Sequence, residues 1–162
     1  MIPPEATNFQ RVGSISNAHA GSDFEHVAAR KLGDAGISVR RNFSVDVGVG
    51  GLKKPHQFDL GSDEPPVIVE CKSHTWTSTG NVPSAKMTVW NEAMYYFSLA
   101  PGHFRKIFFV LKDVCRQESL AEHYVRLNRH LIPDDVEVWE YCTDTGDVLI
   151  LHPTRRSALS TQ

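Results

Sequence analysis

The chain has 162 residues, of which 41% are hydrophobic and 22% charged, and its net charge is −2 with histidine neutral. That size and balance suit one domain with a single core, and they argue against a disordered, fibrous or bulk-basic nucleic-acid-coating protein. No apolar run approaches the ~20 residues needed to span a bilayer, and Met1 to Gln10 lacks the charged start and apolar stretch of a secretion signal, so a cytoplasmic protein is expected.

Residues 1–20 carry Pro3, Pro4, Asn8, Gly13, Ser14, Ser16 and Asn17 with little periodicity, and an irregular arm is expected there. Ser22 followed three residues later by Glu25 fits a capping box, and Phe24, Val27, Ala28 and Leu32 form a helical stripe closed by Gly33 and Gly36. Ile37 to Val47, with Val39, Arg41, Phe43, Val45 and Val47 on one parity, predicts a first strand. A glycine-rich turn from Gly48 to Pro55 leads to a short second strand, Gln57 to Leu60. After the turn at Gly61 to Pro66, Val67 to Lys72 predicts a buried third strand.

His74 to Pro83 is expected as a loop. Ser84 to Leu99 places Met87, Trp90, Met94 and Phe97 at helical spacing before the stop at Pro101-Gly102. Lys106 to Leu111 is almost continuously apolar, which suits a strand covered on both faces. A third helix is expected over Gln117 to Leu131, with Leu120, Tyr124, Leu127 and Leu131 on one side. Two late strands, Val136 to Tyr141 and Val148 to Leu151, flank a hairpin turn at Asp144 to Asp147. The order predicts a single α/β domain over residues 21–154, with a mixed central sheet flanked by helices and a tail at 155–162.

Chemistry concentrates in Asp59, a ten-residue gap, and Glu70-Cys71-Lys72. Alternation along a strand puts Glu70 and Lys72 on one face and Val67, Val69 and Cys71 on the other. Charged groups on a central strand are costly unless paired or bound to something. Asp59, on the preceding strand, can lie alongside Glu70. Two carboxylates held close together share a proton or bind a cation, and all-oxygen ligands suit Mg²⁺ or Mn²⁺. The main-chain carbonyl of Cys71 offers a further oxygen. A lysine beside such a cation can position water or stabilise charge developing on a phosphate. The widely spaced Cys71, Cys115 and Cys142, with no CxxC, do not suggest structural zinc, and the eight histidines are scattered and expected at the surface or in packing.

Phe58-Asp59 followed by Glu70-Cys71-Lys72, on the second and third strands after a first helix, resembles the PD-(D/E)XK (restriction-endonuclease-like) nuclease superfamily over roughly residues 22 to 112, as an αβββαβ core with an extra helix and a C-terminal hairpin. Phe58 stands where the family's name-giving proline often stands. The resemblance implies an Mg²⁺- or Mn²⁺-dependent endonuclease acting on DNA, with Asp59 and Glu70 as metal ligands, Lys72 in water activation and Glu25 as support. It also implies a polar residue on the helix after the third strand, for which Lys86 and Asn91 are candidates. A homodimer is expected by analogy, with the aromatic second helix as its interface. No DNA-reading module is visible, so a partner subunit could supply specificity.

Several residues keep two readings. Glu25 serves the capping box or the site. Asp59 serves the site or only the turn at Gly61. Lys53 and Lys54 touch a phosphate backbone or solubilise a loop tip. Trp76 stacks on a base or packs on the core, and Asp46 is a weaker substitute ligand. Defence against foreign DNA and resolution of branched DNA are both compatible roles. RNA cleavage and a non-catalytic scaffold with this fold are the competing functions.

Overall fold

The computed structural model describes residues 14–153, with side chains from His19 onward. Along the chain lie α1 (Ser14–Asp34), β1 (Arg40–Val47), β2 (Lys54–Asp63), β3 (Pro66–Lys72), α2 (Ser84–Leu99) and β4 (Arg105–Leu111). They are followed by β5 (Val114–Cys115), β6 (Glu118–Ser119), α3 (Leu120–Asn128), a 3-10 turn at Arg129–Leu131, β7 (Val136–Tyr141) and β8 (Val148–His152). Six strands form one mixed sheet in the order β1-β2-β3-β4-β7-β8, and β5 and β6 make a separate small hairpin. The fold is α/β, a mixed six-stranded sheet with helices on both faces.

The first three strands form an antiparallel meander, whereas β4 runs parallel to β3 and β7 parallel to β4. Each parallel step needs a crossover, which α2 and α3 provide. Their apolar residues, including Met87, Trp90, Phe97, Leu120 and Tyr124, pack with Phe58, Ile68, Phe108 and Val110 on one face. On the other face, Phe24, Ala28 and Leu32 of α1 cover Leu60, Val67, Val69, Cys71, Ile107 and Phe109. Strand β4 is therefore apolar on both parities because both of its faces are buried. Burying Phe108 and Phe109 contributes roughly 2–3 kcal/mol each.

Three expectations are corrected. The first helix begins at Ser14, so residues 14–20 are helical and Ser22 lies within the helix and caps nothing. The cause is visible in Ala20, Phe24, Ala28 and Leu32, an i, i+4 row that is buried along its whole length and carries the helix back past Gly21. The remainder of the expected arm and the tail at 155–162 lie outside the described residues. The third helix begins at Leu120, because Arg116 and Gln117 turn the β5–β6 hairpin with φ of 52° and 72°. Ser119 then caps α3, accepting from Glu122 N while the Glu122 side chain accepts from Ser119 N. Leu127 and Leu131 do not join the core and are 52% and 43% exposed.

The third correction concerns alternation. Phe43, Val45 and Val47 face α2 and α3, but Arg41 faces α1, where it meets Glu25. The switch sits at Asn42, whose φ is +54°, a left-handed conformation that asparagine tolerates better than most residues. Opposite it on β2 the same switch occurs, since Phe58 packs under α2 and Leu60 under α1. The ladder is regular at Arg41↔Leu60 and Phe43↔Phe58 and skips the Asn42–Asp59 position between them. The Phe43 ring lies against the backbone of Gly61, where a Cβ would stand 2.4 Å from its Cδ1, so only glycine allows this approach.

Candidate active site

The irregularity at Asp59 has a chemical consequence. Paired positions between β2 and β3 run from Asp63↔Pro66 to Leu60↔Val69 and go no further. At the next step the strands part, and the side chain of Asp59 replaces the main chain as acceptor: Asp59 Oδ2 receives the Cys71 N–H at 2.8 Å. That bond ties the carboxylate of β2 to the strand carrying Glu70 and Lys72. The reading of Asp59 as a residue of the Gly61 turn fails, because β2 continues through Gly61 to Asp63.

Glu70 is 6% exposed and lies on the α2 face, as its parity requires. Its Oε2 accepts from Lys72 Nζ at 3.1 Å, and its Oε1 lies 3.3 Å from His56 Nε2. Burial pushes the Glu70 carboxyl up to about 7, with help from the neighbouring Asp59 charge, although Lys72 opposes the shift. Burial pulls the Lys72 ammonium down, but Glu70 and Asp59 outweigh it and leave Lys72 above its ordinary range, so it stays charged. His56 is held below its usual value, first by burial, and its contact with Glu70 is a hydrogen bond of a neutral ring. That ring stacks on Tyr96 with centroids 3.6 Å apart and meets the edge of Phe58.

Beside this group opens a pocket of about 370 Å³ lined by Glu25, Asp59, Cys71, Lys72, His74 and Lys86, among others. It lies at the carboxyl end of β3 between α1 and α2, the end of a parallel strand where α/β sheets bind ligands. Glu70 faces an adjoining recess of about 170 Å³ with His56, Glu92 and Tyr96, and Lys72 lines both spaces. Glu25 is held by Arg41, whose Nε and Nη2 donate to its Oε2 at 3.0 and 2.5 Å. Burial raises the Glu25 carboxyl, Arg41 lowers it and Asp59 raises it again, with a net upward shift.

The fold thus brings together Glu25, Asp59, Glu70, Cys71, Lys72 and Lys86. It does not bring the other candidates. Asn91 turns towards α3, where its Oδ1 accepts from Tyr124 Oη at 2.9 Å. Lys53 and Lys54 lie at the β1–β2 turn, exposed, and line none of these spaces. Five residues along an extended strand separate Lys54 from Asp59, about 17 Å. Asp46 points to solvent. Trp76 packs on the core and donates from N and Nε1 to Asp113, which is the packing reading. Trp90 and Phe97 are fully buried, which leaves Val89 and Tyr95 as the exposed large apolar residues of α2.

Two residues of the site escape the sequence reading. His74 continues the Glu70, Lys72 parity by one step, so the signal was present. His56 has no such signal, since the parity switch at Asp59 intervenes.

Among the described residues no three His, Cys, Asp or Glu side chains already converge as a ligand shell. The donor set nonetheless fits a hard cation of the Mg²⁺ type, which takes one or two carboxylates and keeps several waters. Asp59 is close enough to Glu70 for its charge to help raise the Glu70 carboxyl. No family model, curated protein or solved structure matches the chain. No helix among the described residues is long and apolar enough to cross a membrane.

Proposed function

We propose that the protein is a divalent-cation-dependent nuclease that hydrolyses DNA phosphodiester bonds, with a restriction-endonuclease-like site of the PD-(D/E)XK type. The observation that carries this reading is the irregular pairing at Asp59 that delivers its carboxylate to the main chain of Cys71, beside the buried pair Glu70 and Lys72. Asp59, Glu70 and the Cys71 carbonyl would hold Mg²⁺ or Mn²⁺, with Glu25 supporting through water. When bound, such a cation supplies Lewis acidity at the phosphate.

The chain's own residues account for the rest. Lys72 keeps its proton and lines both the pocket and the recess that holds Glu70, where it can orient water and offset charge on the phosphate. Arg41 fixes the Glu25 carboxylate at the pocket wall. Lys86 adds a positive charge on the α2 side of the pocket, where a phosphate can approach. A partner subunit or a second copy would supply sequence specificity.

The test is incubation of the purified protein with plasmid, single-stranded and junction DNA in Mg²⁺, Mn²⁺ or EDTA, alongside Lys72→Ala and Glu70→Ala. Cleavage that requires the cation and is lost in both variants supports the proposal. Cleavage that survives both substitutions, or no cleavage of any substrate, refutes it.

A further inference from the structure

His74, at the pocket, is hydrogen-bonded to Trp90 of α2. Trp90 is fully buried, and its indole N–H can only donate. It donates to His74 Nδ1 at 2.8 Å. A nitrogen that accepts that bond holds a lone pair, so the ring proton sits on Nε2. Charging the ring would set one N–H against another. Burial opposes it too, as do Lys86 and Lys72, and together they bring His74 down to about 4. His74 borders the 370 Å³ pocket together with Lys72 and Lys86, and among the described residues its one side-chain hydrogen bond is the Nδ1 contact with Trp90, which leaves Nε2 for a ligand.

We infer that Trp90 locks His74 as a neutral Nε2–H donor that hydrogen-bonds a non-bridging oxygen of the phosphodiester bound in this pocket. The inference rests on the nuclease reading for its ligand. It assigns His74 to phosphate binding and excludes it as a general base, because its one lone pair is committed to Trp90. A neutral donor suits this place: an imidazolium would add a third positive charge beside Lys72 and Lys86 and repel a divalent cation.

Two measurements test it. Long-range ¹H–¹⁵N spectra of the full chain in EDTA, at about pH 7, should show the Nε2–H tautomer at His74, and a saturating short DNA duplex should move its Nε2 signal. The Nδ1–H or charged form, or a signal unmoved at saturation, overturns the inference. In Mg²⁺ cleavage assays, His74→Asn keeps an acceptor for Trp90 but withdraws the ε donor, and should lose on the order of 100-fold in kcat/KM. His74→Gln restores an amide N–H near the Nε2 position and should recover part of the loss. A purely structural role predicts the reverse order, with His74→Asn near wild type and His74→Gln impaired. If the wild type cleaves and His74→Asn keeps pace, the His74 assignment falls alone. If the wild type neither cleaves nor responds to duplex, the nuclease reading falls and this contact with it.

Discussion

Replacing Glu70 with glutamine should make the metal-free protein more stable at alkaline pH. The Glu70 carboxyl titrates at about 7 in the folded chain against an ordinary 4.5, first because it is buried and then because Asp59 is beside it. At 1.36 kcal/mol per pH unit, folding disfavours the ionised form by about 3 kcal/mol. Between these two values the folded chain holds the proton more tightly than the unfolded chain. Stability therefore falls as pH rises from 4.5 to 7 and is level above that window as far as this group is concerned. Glutamine is neutral throughout, so Glu70→Gln should gain about 3 kcal/mol near pH 8 and almost nothing near pH 4.5. For a chain of this length that corresponds to roughly 6–12 °C in Tm. Lys72 loses one partner but keeps the Asp59 charge nearby. Thermal melts of both proteins in EDTA at about pH 8 and pH 4.5 decide the matter. A variant that melts at or below wild type near pH 8, or shows the same gap at both values, refutes the reasoning.

Asp59→Asn leaves an acceptor for the Cys71 N–H but removes the charge, so the fold should persist while cleavage drops on the order of 100-fold or more in a plasmid-nicking assay. The same variant should lower the Glu70 titration towards the ordinary carboxylate range, read by ¹³C NMR of the carboxyl. Away from the site, Ser119→Ala removes the cap of α3 and also the hydroxyl that donates to the buried Glu140 Oε2. The two losses should together cost about 2–3 kcal/mol in urea unfolding, with cleavage unchanged where the protein remains folded.

Much of the architecture could be read from pattern alone because burial wrote it there. The apolar spacing places the second helix over Ser84 to Leu99, and it occupies Ser84–Leu99, since Met87, Trp90, Met94 and Phe97 are all buried. The doubly buried β4 and the parity of Glu70 and Lys72 follow from period-2 reasoning in the same way. What escaped is where a local exception outweighs periodicity. The face switch at Asn42 and Asp59 depends on one left-handed residue and on the fit of Phe43 over Gly61, and neither has a periodic signature. The start of α1 was lost behind Gly21, whose helix penalty of about 1 kcal/mol is outweighed by the buried Ala20 and Phe24 on either side. The Ser119/Glu122 capping box was present in the sequence and lay inside a helix begun three residues too early. The spurious box at Ser22 and Glu25 shows the converse: the residue types were right, but the helix already ran past them, leaving Glu25 to Arg41 and the pocket.

The most direct test of the account is calorimetric titration of Mn²⁺ into the metal-free protein near pH 6.5, repeated in two buffers of different ionisation enthalpy. Binding should be saturable and should release protons, because Glu70 is substantially protonated at that pH and must ionise to serve as a ligand. Asp59→Asn should abolish the binding. No binding by the wild type, or binding of equal strength in Asp59→Asn, would contradict the claim that the carboxylates of β2 and β3 are joined to hold a cation.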